Sequence, residues 1–138
     1  MKISIITATY QCAATVGACL ESVAAQTYAD REQIVIDGAS PDGTLAVLTA
    51  RQDQLAVLVS EPDQGIYFAL NKGLARASGE VVGVLHADDV YGDAEVLARI
   101  AAAFADPTVM AVYGDLEYVS QGDPTRVVRH WRAGPFDP

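Results

Sequence analysis

Basic residues are scarce in this chain of 138 residues: nine Lys and Arg stand against 18 Asp and Glu, for a formal net charge of −9. Nucleic-acid phosphates are held by clustered Lys and Arg, and the few present are scattered, so no nucleic-acid partner is expected. No apolar run approaches the roughly 18 residues that suggest a membrane span. Met1-Lys2-Ile3-Ser4 enters a strand pattern at once, with no signal-peptide core. A soluble, cytoplasmic chain is expected, with the inner face of the membrane as the alternative location. Cysteine is limited to Cys12 and Cys19. In a segment read as helix they would lie about 10 Å apart along the axis, beyond the roughly 7 Å reach of a disulfide. Both therefore read as small buried hydrophobes. No Gly-x-Gly-x-x-Gly follows the first strand, which argues against a dinucleotide enzyme. Repeats, low-complexity tracts and internal linkers are also lacking.

What is present is a globular composition, 51% hydrophobic and 20% charged. A single domain over residues 1–138 is expected, large enough to bury roughly two-thirds of its unfolded surface. Ile3-Ser4-Ile5-Ile6-Thr7 is a β-branched run that reads as a buried strand. Val16, Leu20, Val23 and Ala24 fall at helical spacing within residues 12–26. A second strand is expected at 33–36. Ser40 then serves as N-cap, with Pro41 opening a helix that runs to about Arg51. A third strand is expected at 55–59, then a helix at 66–77 with Ile66, Leu70 and Leu74 on one face and Gly79 ending it. Residues 81–85, apolar throughout, read as a central strand covered on both faces. A helix at 94–104 and a fifth strand at 109–113 complete an alternation that predicts an α/β fold, a mostly parallel sheet flanked by helices. Residues 116–119 and 126–131 read as an antiparallel hairpin turning at Gln121-Gly122-Asp123-Pro124. The stretch 133–138 carries no strong element and reads as a connection.

Three polar clusters follow strands: Thr7-Ala8-Thr9-Tyr10, Asp37, and His86-Ala87-Asp88-Asp89. In a parallel sheet they converge on one edge, where open α/β sheets bind ligands. A nucleobase could stack on Tyr10 while its polar edge bonds to Asp37. Asp88 and Asp89 would repel a diphosphate unless a hard divalent cation, Mg2+ or Mn2+, lay between. The inferred ligand is a nucleotide diphosphate with metal. Plainer roles are open beside these. Asp88 and Asp89 could cap the next helix, Asp37 a turn, and Tyr10 could be packing. Lys72 could be a solvated charge and His86 structural. Trp131 and His130 read as packing residues, Asp115 and Glu117 as surface groups. A phospho-acceptor domain also carries an acidic pair, but after its first strand and with a Lys after the fifth; here the pair follows the fourth strand and Gly114-Asp115 the fifth.

The segments 4–10, 34–44, 60–67 and 71–73, continued to Ala87-Asp88-Asp89, together resemble family 2 glycosyltransferases in motif and order, above all those that build bacterial surface polysaccharides. The resemblance implies a GT-A fold, a nucleotide-diphospho-sugar donor, a divalent metal and inversion at the anomeric carbon. It puts Ala8, Thr9 and Tyr10 against the base, with Asp37 bonded to it. Asn71 and Lys72 would open onto the donor, Asp88 would serve ribose and metal, and Asp89 the metal. A sugar or lipid-linked acceptor is implied as partner. Four positions depart from the family pattern: Ala8 replaces Pro, Gln11 replaces Asn, Phe68 replaces Asp, and His86 replaces Asp or Asn. Family members are longer, and their remaining part supplies acceptor contacts and the catalytic base, for which no residue is assigned here. The alternative expectation is therefore a truncated donor-binding module that holds nucleotide without transferring sugar, with self-association through exposed apolar surface.

Overall fold

A computed structural model describes residues 1–135, so the end of the expected connection, at 136–138, lies outside the described residues. The chain, expected as one domain, divides into two compact units, Met1–Ala102 and a second from Ala103 onward.

In the first unit, strands β1 (Ile3–Thr9), β2 (Arg31–Asp37), β3 (Val57–Ser60) and β4 (Val81–Val84) alternate with helices α1 (Val16–Ala24), α2 (Thr44–Thr49) and α3 (Ile66–Leu74); α4 (Val96–Ala103) follows β4. The sheet is parallel throughout, in the order β3-β2-β1-β4. Alternation of side chains along the two central strands feeds both layers. Ile3 and Ile5 pack with Cys19 and Val23 of α1, and Val35 packs with Val16, Leu20 and Leu48. On the opposite face Ile34 and Ile36 meet Ala69 of α3. The chain runs from β1 outward to β3 and then returns to the other side of β1 for β4. This reversal opens a crevice past the carboxyl ends of β1 and β4.

Several sequence expectations are corrected. Helix α1 starts at Val16, because residues 12–15 form a turn whose Cys12 and Ala13 N–H groups donate to the Thr44 hydroxyl and the Asp42 carboxylate. Ala24, expected on the buried face, is exposed. Ser40 does not cap α2. Its hydroxyl turns back to Asp37, and the Thr44 N–H is satisfied by Asp42 at 3.0 Å. Strand β4 lies at the sheet edge rather than at its centre, with Val82 and Val84 exposed. The fifth parallel strand at 109–113 does not form. Among the described residues no strand pairs with that stretch, and Met110 stands 89% exposed.

The apolar stripe expected on α3 is also not the buried one. Ile66 and Leu74 are exposed, while Ala69 and Gly73 face the sheet. Helix and strand approach so closely that a Cβ at Gly73 would overlap Ile6 Cγ2. Gly73→Ala is therefore expected to destabilise by about 1–3 kcal/mol through overpacking, although alanine is the better helix former by about 1 kcal/mol. The midpoint of urea unfolding checks this. Gly79 does not end the helix, which closes at Ala75. It lies where the chain re-enters the sheet, donating its N–H to Ser4 Oγ at 2.8 Å.

Glu32 ties β1, β2 and the approach to β4 together at the other end of the sheet. It pairs with Lys2 at 2.7 Å and accepts from Ser4 Oγ at 2.6 Å and from the Ser78 N–H at 2.7 Å. Burial raises its carboxyl, but the bonds from Lys2, Ser4 and Ser78 outweigh this and bring it from 4.5 down to about 2. Because the folded value lies below the unfolded one, the stabilisation is complete above pH ~4.5 and lost as pH falls towards 2. With Lys2 partly exposed, it amounts to about 2–3 kcal/mol. Glu32→Gln is expected to remove that difference, so parent and variant stability curves converge at pH ~2 and separate above ~4.5.

The second unit contains an antiparallel hairpin, β5 (Leu116–Ser120) and β6 (Asp123–Trp131), as expected in type, with Gln121-Gly122 at the turn. Glu117 pairs with His130 at 3.1 Å, and Arg129 stacks over the Tyr118 ring. Asp115 accepts the Ala133 N–H at 2.9 Å. Trp131, expected as a packing residue, is exposed among the described residues, as are Leu116, Tyr118 and Val128.

Candidate functional site

The crevice at the carboxyl ends of β1 and β4 is a cleft of about 990 Å3. Its lining comes from four places: the end of β1 and the loop after it (residues 8–15), the loop after β2 (Gly38, Asp42), the start of α3 with its approach (Pro62, Asp63, Gly65, Ile66, Ala69), and His86, Ala87 and Asp88 after β4. Of the residues expected at the site, Ala8, Thr9, Tyr10 and Asp88 line this cleft together. Asp37, Asn71, Lys72 and Asp89 do not.

Asp37 stands behind the cleft wall, fully buried. Its Oδ1 accepts from Thr9 Oγ1 at 3.0 Å and from the Ser40 hydroxyl. Its Oδ2 accepts from the Ser40 N–H at 3.0 Å and from Ser60 Oγ at 2.7 Å. A carboxylate has about four acceptor positions, so all are engaged by protein. Burial pushes this carboxyl up, and the donors on Ser40, Ser60 and Thr9 more than reverse the effect, leaving it below the ordinary range. One acid thereby joins the ends of β1 and β3 to the loop after β2. The sequence pattern of Asp before Gly identified the acid, but not Ser40 and Ser60 as its partners.

The loops after β1 and β2 are stitched to one another. Ser40 Oγ accepts the Gln11 N–H at 3.0 Å, and Thr44 Oγ1 accepts the Cys12 N–H at 2.9 Å. Two non-glycine residues here have left-handed backbones, Gln11 at φ 51° and Ala39 at φ 57°. Such conformations are uncommon outside glycine and Asn and gather at functional loops. Gln11 occupies the position where the family usually has Asn, the side chain that tolerates this conformation better. Tyr10, largely exposed, lies over Gly38, where an added Cβ would approach its ring and the Asp63 carboxylate to 3.3–3.4 Å. That leaves an open aromatic face at the cleft mouth. A β-branched residue at Ala39 is strongly disfavoured at positive φ, so Ala39→Val is expected to cost about 1–2 kcal/mol, measurable as a lower Tm.

Asp88 and Asp89 sit on a turn closed by the Asp89 N–H donating to His86 O at 3.0 Å. Burial and the neighbouring Asp88 charge push the Asp89 carboxyl up, against the pull of His86. Two carboxylates held this close are a fitting seat for a hard cation. Among the described residues no group of three His, Cys, Asp or Glu side chains converges to hold a metal. The donor set thus suits an ion bound by one or two carboxylates and completed by substrate phosphates and water, as Mg2+ commonly is. Lys72 is paired with Glu61 at 2.8 Å, and Asn71 is exposed on the side of α3 away from the sheet. Both cysteines are free thiols. Burial pushes Cys19 up to about 11, so it stays protonated.

The parallel sheet in the order β3-β2-β1-β4, with helices on both faces and a cleft at its point of reversal, is of the doubly wound α/β kind, and its solved structural neighbours are GT-A glycosyltransferases. The chain belongs to glycosyl transferase family 2, whose family model matches residues 4–137. It is similar to a PGL/p-HBAD biosynthesis glycosyltransferase of Mycobacterium bovis, 39% identical over 118 residues, covering 82% of this chain and 46% of that protein. An uncharacterized glycosyltransferase of Nostoc sp. is 36% identical over 128 residues, covering 91% and 39%. The chain thus spans less than half the length of these relatives. Among solved structures, the mannosyltransferase PcManGT from Pyrobaculum calidifontis in complex with GDP-Man and Mn2+ superposes with a TM-score of 0.73 at 31% identity, covering 87% of this chain and 36% of that one. S. aureus TarS 1–349 in complex with UDP-GlcNAc gives 0.68 at 31% identity, covering 78% and 32%.

Among the described residues no helix is long and apolar enough to cross a membrane.

Proposed function

We propose that this chain binds the donor of a metal-dependent, inverting glycosyl transfer, a nucleotide-diphospho-sugar, in the cleft beyond β1 and β4. The observation that carries the reading is the convergence of Ala8, Thr9, Tyr10 and Asp88 on one cleft. The exposed Tyr10 ring offers a stacking face for a base, and the loop after β1 wraps it. Asp37 supports that loop through Thr9 and Ser40. It would meet a base only if one of those donors turned away, so its first role is to fix the wall against which the base lies. Asp88, with Asp89 beside it, would hold Mg2+ or Mn2+ jointly with the diphosphate. When bound, the ion would neutralise charge developing on the departing nucleotide diphosphate. Asn71 and Lys72 belong to the donor site in this reading only on the strength of the family pattern. The solved relatives bound to GDP-Man with Mn2+ and to UDP-GlcNAc support a donor of this class. A sugar or lipid-linked acceptor, and a part in bacterial surface-polysaccharide synthesis at the inner face of the membrane, complete the proposal; the relatives named for PGL/p-HBAD biosynthesis support glycosyl transfer in a biosynthetic role.

A second reading, a donor-binding module that transfers nothing by itself, is favoured by one observation. Two of the acids lining the cleft are bonded to their own loops: Asp42 accepts from Thr44, and Asp63 Oδ1 from the Gly65 N–H at 2.9 Å. Among the described residues the third cleft-lining acid is Asp88, which this reading gives to the metal, so no acid is assigned to deprotonate an acceptor. A thermal-shift panel of UDP- and GDP-sugars with and without Mn2+ tests binding. A metal-dependent rise in Tm is expected for one donor, and no rise with any would sink the proposal. Transfer of labelled sugar from the bound donor to a membrane-lipid extract separates the readings, since transfer by this chain would eliminate the module.

A further inference from the structure

Helix α1 carries polar side chains on a face that otherwise packs into the core, and all of them reach the same stretch of chain. Cys19, fully buried, donates its thiol to His86 O at 3.4 Å. One turn on, Ser22 Oγ accepts the Tyr91 N–H at 3.2 Å. Just past the helix end, the buried Gln26 donates to Asp93 O at 2.6 Å and accepts the Leu97 N–H at 3.0 Å. Residues 19, 22 and 26 are spaced three and four apart and so lie on one side of the helix path. They hold the chain from 86 to 97 at four backbone groups, in the order in which that chain passes them. His86 O is also the acceptor that closes the turn bearing Asp88 and Asp89. Among the described residues that is the turn's one internal backbone bond, and residues 88–90 are exposed.

We infer that Cys19, Ser22 and Gln26 are positioning residues for the acidic turn: α1 fixes where the Asp88 and Asp89 carboxylates stand. This rests on the donor-binding reading above and deepens it, because a cation shared between carboxylates and a diphosphate is sensitive to sub-ångström displacement of its ligands. The thiol suits the task. It is a small donor in a space that also packs against Ile3, Ile5 and Val23, and in its protonated form it offers the hydrogen that His86 O accepts. Ser22 and Gln26 also bond back along the helix, to Cys19 O at 2.8 Å and Ser22 O at 3.1 Å, so each ties α1 and the chain after β4 together through one side chain.

The test compares the full chain with Cys19→Ala, Cys19→Ser, Ser22→Ala and the Cys19→Ala/Ser22→Ala pair. Two readouts are used: amide hydrogen exchange without ligands, and Mn2+ binding by electron paramagnetic resonance in the presence of UDP or GDP. In the pair, exchange at Asp89 and Tyr91 is expected to accelerate while β2 amides keep their protection. Affinity for Mn2+ with nucleotide should fall about tenfold, with metal-free nucleotide binding unchanged. Cys19→Ser, which retains a donor, should restore most of the loss, and Ser22→Ala alone should show part of it should the pair fold poorly. Parent-like Mn2+ affinity in the folded pair overturns the inference while leaving the donor-binding reading intact. So does a loss shared equally by β2 protection and metal-free nucleotide binding, which would mark a structural effect. A parent chain that binds Mn2+ with neither nucleotide overturns the donor-binding reading and this inference with it.

Discussion

Asp37→Ala is expected to lower the stability of the first unit by about 4 kcal/mol, a fall of roughly 15–25 °C in Tm for a unit of this size. The reason is the number of groups left behind. Four donors, from Thr9, Ser40 twice and Ser60, converge on one buried carboxylate. Removing a buried charged acceptor strands each of them with its desolvation cost uncompensated. Asp37→Asn retains one oxygen but presents an NH2 group to donors, and about 2 kcal/mol is expected because only the hydroxyls can rotate to accommodate it. The pH dependence has a definite sign. The folded carboxyl lies below its ordinary value, so its stabilisation is present above the unfolded pKa of ~3.9 and fades as pH falls below it. In Asp37→Asn that acid-side fade should be missing. Unfolding in urea at pH 7 and pH 3 measures both effects. A loss under 1 kcal/mol at pH 7 would show that the four bonds are not holding the loops together.

The second large effect concerns binding. Asp88→Ala should weaken donor binding in Mn2+ by about 100-fold or more, equivalent to roughly 2.7 kcal/mol, because Asp88 is the carboxylate of the Asp88-Asp89 pair that lines the cleft. Without metal the sign should reverse. The diphosphate then meets one negative charge fewer, and binding should be equal to or slightly tighter than in the parent. Folding should not suffer, because the substitution removes a charge that pushes up the Asp89 carboxyl. Titration calorimetry of parent and variant, each with Mn2+ and with chelator, gives the four numbers. Equal weakening in both conditions would assign Asp88 to the nucleotide instead of the ion.

The sheet was legible in the sequence because its two inner strands are written in β-branched runs that call for burial. Ile3 to Thr7 and residues 33–36 could be nothing else. Strand β4 shows the limit of that reasoning. An all-apolar run looks central, yet Val82 and Val84 face outward at the edge of this sheet. Apolar content reports what a strand could bury, not whether a neighbour is present to bury it. The same ambiguity produced a strand at 109–113 that has no ladder partner. Helix α3 misled in the other direction: large apolar residues at Ile66 and Leu74 drew attention from Ala69 and Gly73, the small pair that allows close approach to Ile6.

At the candidate site, residues brought together by their place at a strand end were readable, and bonds to a partner distant in sequence were not. Ala8, Thr9, Tyr10 and Asp88 meet in the cleft as strand order dictates. Asp37 was identified as an acid, but its engagement by Ser40 and Ser60 depends on how two loops fold together. Cys19, Ser22 and Gln26 carried a faint signal, polar atoms on the inward side of an amphipathic helix, which the pairing of Cys12 with Cys19 as small hydrophobes concealed. Asn71 and Lys72 illustrate the opposite case, positions suggested by the family pattern that stand outside the cleft, Lys72 held by Glu61.

The most direct test of the account is calorimetric titration of the chain with UDP-GlcNAc and with GDP-mannose, in Mn2+ and in chelator. One-to-one binding of at least one donor is expected, markedly tighter in Mn2+ and lost in Asp88→Ala. Binding of neither donor in Mn2+, or binding indifferent to both metal and Asp88, would contradict it.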